Sequence, residues 1–302
     1  MSDRLACIDI GGTALKTGVC DTNGELMDTD TLPVHQQKDS LIEEIDTWMS
    51  GLKKKHKIIG LAISAPGAVD RKTGVIGGGS AIPCLHGPAW IDIFQKKFNM
   101  PVSIENDANC AALAEVIFGN GKSYRDMAFI VCGTGIGGAV VIDKKIHYGS
   151  HLYGGEFGCM AMRDENGRVS TFSTQASTMS FVRKIQRLYP QDTWNGKKVF
   201  AEAENGNRDC IRVIDVFFAN LAEGIYNVQH VYDPEIILLG GGISSRKDFI
   251  PRLKEKLSIL VQRISEETCT RVVLPHISGC SFGNNANLIG AAAHWMQQNG
   301  YL

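Results

Sequence analysis

Residues 104 to 110 read Ile-Glu-Asn-Asp-Ala-Asn-Cys. The run 100–104 reads as a short buried strand, and Glu105, Asn106 and Asp107 stand at its end. Three adjacent polar groups there face solvent, a partner or a substrate. A carboxylate in such a place can accept a proton from a hydroxyl. The alternative is an Asx-type cap on a helix that starts near Asn109. Asp9 is a second acid at a strand end, and Gly11-Gly12-Thr13 follow it. Glycines let backbone N–H groups approach an anion, threonine adds a hydroxyl donor, and an acid beside such a turn suits Mg²⁺ held through water. Gly133-Thr134-Gly135-Ile136-Gly137-Gly138 is a second turn of this kind. Gly240-Gly241-Gly242, after an apolar run, is a third, placed where an α/β sheet offers the edge of a nucleotide pocket. None is a Walker A loop. A strand rather than a helix follows each of the first two, so neither is a dinucleotide fingerprint.

Strands at 5–9, 15–20 and 25–32, the latter pair joined by Asn23-Gly24, are expected to position Asp9 and its turn. Helical spacing follows over 39–55, then a buried strand over 58–64 that ends in Ala65-Pro66-Gly67. A short helix at 91–98 leads to the strand before Glu105, and 109–118 reads as a helix. After Gly119-Asn120-Gly121 the opening pattern returns. Met127–Val131 is a strand, the second glycine turn follows, 139–142 returns, and 143–145 turns again. This echo implies two related halves, each opening on a glycine-tipped hairpin. The second half continues with helices over 176–188, 209–230 and 249–264, strands over 236–239 and 271–274, and a final small-residue helix over 287–297.

The 302 residues suit one large domain or two moderate ones. A formal net charge of -1 offers no basic field for nucleic acid or for an anionic membrane surface. No apolar run is long enough to span a bilayer, and no secretory signal is read at the N-terminus. The nine cysteines are dispersed without a C-x-x-C pair, as expected of reduced thiols in a cytoplasmic protein.

Six segments stand in the order seen in ROK-family sugar kinases, within the actin-like, hexokinase-type ATPase superfamily. They are Asp9–Thr13, Ala65-Pro66-Gly67, Glu105–Asn109, Gly133–Gly138, Gly155-Glu156-Phe157-Gly158 and Ile237–Gly242. The chain resembles that family over nearly its whole length. The resemblance implies an α/β fold of two ribonuclease-H-like domains, 1–120 and 121–302, with ATP and sugar in a cleft between them. It also implies that the last helix, about 287–298, returns to the N-terminal domain. Asp107 would be the catalytic base, with Asn106, Glu105, Glu156 and Gly67 around the sugar. Asp9 would hold Mg²⁺ through water. Gly11, Gly12, Thr13, Gly133, Thr134, Gly135, Gly241 and Gly242 would meet the nucleotide.

The chain departs from the pattern at one place. Most ROK kinases carry a histidine after Gly-Glu-x-Gly and then a cysteine-rich zinc loop. Cys159 stands at the histidine position here, and no further cysteine precedes Cys210. Tetrahedral zinc needs about four ligands, so no zinc site is expected. Some members that phosphorylate β-glucosides of the cellobiose type also lack the loop. A β-glucoside kinase is therefore the sharper expectation. A kinase of free glucose or N-acetylmannosamine is the alternative, and a non-catalytic sugar sensor a second one. A ROK repressor would need a helix-turn-helix ahead of the Asp9 strand, and the strand at residue 5 leaves no room for it. Sugar and ATP are the expected partners. The oligomeric state stays open, a homodimer included.

Overall fold

The computed structural model describes residues 2–302. The chain divides into two units. One comprises residues up to 122 together with 148–153 and 284–302, and the other comprises 123–147 and 154–283.

The first unit opens with strands β1 (Arg4–Ile10), β2 (Ala14–Asp21) and β3 (Leu26–Pro33), helix α1 (Lys38–Leu52) and strand β4 (Ile58–Ala65). A small hairpin, β5 (Ala68–Val69) and β6 (Ile76–Gly77), precedes α2 (Trp90–Phe98), β7 (Val102–Asn106) and α3 (Asp107–Ile117). The main sheet runs β3-β2-β1-β4-β7. β1 pairs antiparallel with β2, and parallel with β4, which pairs parallel with β7. β1 is buried almost throughout because both faces of its sheet are covered. Ala6, Ile8 and Ile10 point into a core with Leu41, Ile45, Trp90 and Phe94. Leu5 and Cys7 alternate to the opposite face, where Leu288, Ala292 and Trp295 meet them from the chain's last helix, α9 (Ala286–Gln298). By the same parity Asp9 faces the α9 side. The small residues of α3 and α9 allow a very close approach. A Cβ on Gly290 would sit 1.6 Å from the carbonyl oxygen of Cys110.

The second unit contains β8 (Met127–Cys132), β9 (Ile136–Ile142), β10 (Lys145–Ile146) and a hairpin of β11 (Ala161–Arg163) and β12 (Val169–Thr171). Helices α4 (Phe172–Ala176), α5 (Thr178–Leu188), α6 (Gly196–Glu204) and α7 (Arg208–Tyr232) follow. Then come β13 (Ile236–Gly240), α8 (Phe249–Thr268) and β14 (Ile277–Gly279). Its sheet runs β10-β9-β8-β13-β14, with β8–β9 antiparallel and β13 parallel to both β8 and β14. The antiparallel opening hairpin followed by parallel strands repeats the pattern of the first sheet. Ala128 and Ile130 pack against Phe172, Phe217, Phe218, Leu253 and Leu257.

Three local expectations change. The helix expected from Asn109 begins two residues earlier, at Asp107, because Asn106 caps it. The strand expected at 271–274 is absent, and Val273 and Leu274 are exposed. Pro275 cannot donate to a ladder, and pairing starts beyond it, with Ile277 opposite Ile237. Helix α6 was not anticipated. Its start, Asn195-Gly196, has the composition of a turn, but the Asn195 side chain accepts from the Lys198 N–H as an N-cap. No helix among the described residues is long and apolar enough to cross a membrane. All nine cysteines are free thiols, and Cys7, Cys20, Cys110, Cys132 and Cys210 are buried.

Candidate active site

In the first unit, β1, β4, β7 and α9 bring two acidic groups to the same end of one sheet. Register places Asp9 opposite Ser64 on one side and Lys16 on the other. The Ser64 hydroxyl donates to Asp9 Oδ1 at 2.8 Å, and the Asn287 amide donates to the same oxygen at 3.0 Å. Oδ2 faces the Lys16 ammonium at 3.9 Å. Asp9 is only 6% exposed. Two donors fix Oδ1, which directs Oδ2 to a cation. A hard, oriented oxygen of this kind fits a hydrated magnesium ion. Gly11, Gly12 and Thr13 form the tip of the β1–β2 hairpin, closed by Gly11 N–H donating to Ala14 O at 3.0 Å. Gly12 and Thr13 are exposed there.

The second acidic group is the β7–α3 junction. Asn106 is the N-cap of α3, its side-chain oxygen accepting from the N–H groups of Ala108 and Asn109. Its amide nitrogen donates to Gly67 O at 3.1 Å. Gly67 holds φ +97°, and a Cβ there would sit 2.8 Å from Gly77 O. An amide nitrogen carries two hydrogens, so Asn106 keeps one for a ligand hydroxyl. Asp107 is the first residue of α3, is half-buried, and accepts from the Ala108 N–H at 2.8 Å. Capping of α3 thus falls to Asn106.

Glu105 is 1% exposed, and protein donors engage both its oxygens. Oε1 accepts from Asn106 N–H at 2.7 Å and from the Asn109 amide at 3.0 Å. Oε2 accepts from the Tyr148 phenol at 2.7 Å. These three hydrogen bonds make the buried carboxylate a brace that holds the junction in shape. Burial, then the charge of Glu105, pushes the Tyr148 phenol well above its ordinary value and keeps it a donor. The Arg71 guanidinium lies 3.6 Å from the centre of the Tyr148 ring. Behind Glu105, His294 of α9 is buried, with Nδ1 3.8 Å from Oε2. Its Nε2 lies 3.0 Å from the Gln298 amide nitrogen, which can only donate, so the neutral ring carries its proton on Nδ1. Burial lowers the His294 pKa, and Arg71 adds to this while Glu105 opposes it.

In the second unit, the β8–β9 turn and the Gly240–Gly242 strand end meet. Gly133 N–H donates to Gly135 O at 2.9 Å, and Ile136 N–H donates to the Ser173 hydroxyl at 3.0 Å. Gly241 has φ +93°, and a Cβ on it would lie 2.2 Å from Cys132 O, so only glycine passes here. Gly133, Thr134 and Gly242 line a cavity of about 620 Å³. Gly135 and Gly241 are not among the residues that line it. The remaining wall presents mainly apolar surface, from Met179, Phe181, Phe200 and Ile243, with Thr178, Asn195, Lys197, Ser245 and Arg246 as its polar members. The Arg246 guanidinium lies 3.9 Å from the Phe200 ring centre and pairs with Glu204 and Asp248, each at 2.9 Å. A mostly apolar slot with glycine N–H groups at one edge suits a planar heteroaromatic group joined to phosphates.

Glu156 is exposed at the start of the short 3-10 turn Phe157–Cys159. Cys159 is exposed as well. Where a cysteine-rich loop would stand, residues 161–171 form the β11–β12 hairpin. Among the described residues no group of three or more His, Cys, Asp or Glu side chains is placed to hold a metal ion.

Ser64, Tyr148, Asn287 and His294 escaped the sequence reading. Each acts through a partner far away in the chain, and nothing local to it signals that partner.

Comparison with known proteins agrees with this architecture. The ROK family matches residues 5–298. The chain is 31% identical over 301 residues to the β-glucoside kinase of Klebsiella pneumoniae, covering 97% of this chain and 96% of the relative. It is 32% identical over 304 residues to the β-glucoside kinase of Listeria monocytogenes, covering 98% of each. A crystal structure of a ROK family protein from Streptococcus pneumoniae TIGR4 in complex with sucrose is 35% identical. It superposes with a TM-score of 0.90, covering 99% of this chain and 100% of that one. The two echoing sheets, the order of the glycine turns and these similarities together identify the chain as a member of the ROK family.

Proposed function

We propose that this protein is an ATP-dependent sugar kinase that transfers the γ-phosphate to the 6-hydroxyl of a β-glucoside of the cellobiose type. The observation that carries the kinase reading is the division of labour at the β7–α3 junction. Asn106 takes the capping role at the start of α3, and Asp107 stands beside it at the end of a buried strand, where a carboxylate can accept a proton from a hydroxyl. The relatives named β-glucoside kinases, each about a third identical over nearly full length, support the substrate class.

On this reading Asp107 accepts the proton of the sugar hydroxyl as that oxygen attacks phosphorus. General bases of this kind contribute roughly 10²- to 10⁴-fold. Asn106 orients the sugar through its remaining amide hydrogen, and Gly67 fixes Asn106. Glu156 is a further sugar contact. Glu105 keeps the junction in shape. Asp9, set by Ser64 and Asn287, would hold magnesium through water, and the ion when bound neutralises phosphate charge. The hairpin tip offers the N–H groups of Gly12 and Thr13 and the Thr13 hydroxyl to phosphates, and the β8–β9 turn those of Thr134 and Gly135 and the Thr134 hydroxyl, while the Gly11 and Gly133 N–H groups close their own turns. The cavity edged by Gly242 takes the nucleobase. Work of this kind belongs in the cytoplasm, where ATP is supplied.

An ADP-release assay with cellobiose, methyl β-glucoside, glucose and N-acetylmannosamine tests this reading. Turnover of the glycosides at or above the rate for free sugars supports it. Turnover of a free monosaccharide alone would replace it with a hexose kinase, and no sugar-dependent turnover would leave a sensor.

A further inference from the structure

The segment 148–153 leaves β10 and belongs by its contacts to the first unit. Tyr148 anchors it. Its phenol reaches Glu105 Oε2 at 2.7 Å, and Arg71 stacks on its ring. Glu105 stands two residues before Asp107. Five residues of chain extend at most about 18 Å from such an anchor, so the tip of the arm lies within that reach of Tyr148 and the junction it is bonded to.

The tip of this arm is unusual in two ways. Leu152 has φ +62°, a left-handed conformation that branched apolar side chains rarely take. Leu152 and Tyr153 are also exposed, at 38% and 59%. Conformations of this kind persist where the surroundings impose them and cluster at ligand clamps. An exposed aromatic ring on an arm tethered to Glu105 has a complement in a sugar ring. A β-linked glucose unit carries its hydroxyls equatorially, so both faces of its ring present C–H bonds. Such a face lies well on a tyrosine ring.

We propose that the arm 148–153 forms the subsite for the second pyranose ring of a β-linked disaccharide, with Tyr153 as its platform and Leu152 as its apolar wall. The inference rests on the β-glucoside reading above and extends it from the reacting ring to the ring that does not react. The reacting ring needs polar groups that fix its 6-hydroxyl. The second ring needs only a surface that holds it. The Tyr148–Glu105 bond joins that surface to the catalytic junction.

The test is the ratio of kcat/KM for cellobiose to that for methyl β-glucoside, which lacks the second ring, in wild type and in Tyr153→Ala, Tyr153→Phe and Leu152→Gly. Tyr153→Ala is expected to lower the ratio on the order of tenfold, equivalent to about 1.4 kcal/mol, mainly through KM for cellobiose. Tyr153→Phe keeps the ring and the ratio. Leu152→Gly relaxes the arm and lowers the ratio. Measurable turnover of methyl β-glucoside by each variant reports a folded enzyme. Cellobiose turnover with an unchanged ratio in both Tyr153→Ala and Leu152→Gly would overturn the subsite alone. A wild-type enzyme that takes free glucose and neither glycoside would overturn the β-glucoside reading and the subsite with it.

Discussion

Asn287, at the start of the last helix, donates to Oδ1 of Asp9, a residue 278 positions earlier, at 3.0 Å. With Ser64 it turns a buried carboxylate into a ligand of fixed orientation. Removing the amide in Asn287→Ala leaves Asp9 with one donor fewer in a buried setting. Loss of a hydrogen bond to a charged group costs about 1.5–3 kcal/mol. The variant is expected to need more Mg²⁺ for half-maximal turnover and to lose kcat. A titration of activity against Mg²⁺ matching wild type would remove Asn287 from this role.

Asp107→Asn keeps the shape of the side chain and cannot accept a proton. Turnover is expected to fall roughly 10²- to 10⁴-fold. Asn106 continues to cap α3, so the melting temperature should hold. Near-normal turnover with an unchanged melting curve would exclude Asp107 as the base.

Gly290→Ala would put a methyl 1.6 Å from a backbone carbonyl oxygen of α3. Backbone on both sides cannot yield as a side chain would. The destabilisation is expected to exceed the ~1–3 kcal/mol of ordinary overpacking. Gly51, in α1, has nothing within 4 Å of an added methyl. Gly51→Ala is therefore expected to stabilise by about 0.5–1 kcal/mol. Thermal melts that rank the two variants in the opposite order would show that the α3–α9 contact is not as close as described.

His294 gives a pH dependence of definite sign. Burial lowers its pKa from 6.5. In the unfolded chain the ring takes up a proton near that value, whereas the folded ring refuses it until lower pH. Unfolding then takes up a proton, so stability falls as the pH drops below about 6.5, down to the folded value, and above that range the ring contributes no slope. His294→Gln should flatten the fall in melting temperature between about pH 7 and pH 5. Parallel curves for the two proteins would show that His294 is not the titrating group.

The turns were legible because glycine and threonine at strand ends have few structural reasons to recur, and twice they recur in the same order. Asp9 and Asp107 were legible as acids at the ends of buried strands. What Glu105 does was not. Adjacent to Asn106 and Asp107, it looks like a third ligand for a substrate. Its partners, Tyr148 and Asn109, turn it inward, and one of them comes from a segment 43 residues later. The strand placed at 271–274 failed for a local reason. Its apolar run suits a ladder, but Pro275 shifts the pairing to Ile277. α6 failed because an Asn-Gly pair signals a turn as readily as a cap. Long-range partners such as Asn287 leave no mark on the sequence around Asp9.

The covering of the first sheet by α9 also fixes an order of events at the ribosome. A chain made as far as residue 122 has every strand of that sheet. It has none of the helix that buries Leu5 and Cys7 or fills the space beside Gly60 with Trp295. At about 5–20 residues per second, roughly 10–35 s pass before residue 298 is joined. The earliest-made strands are thus the last to be sealed, and a chain that stops before Ala286, lacking α9 altogether, leaves its opening sheet uncovered.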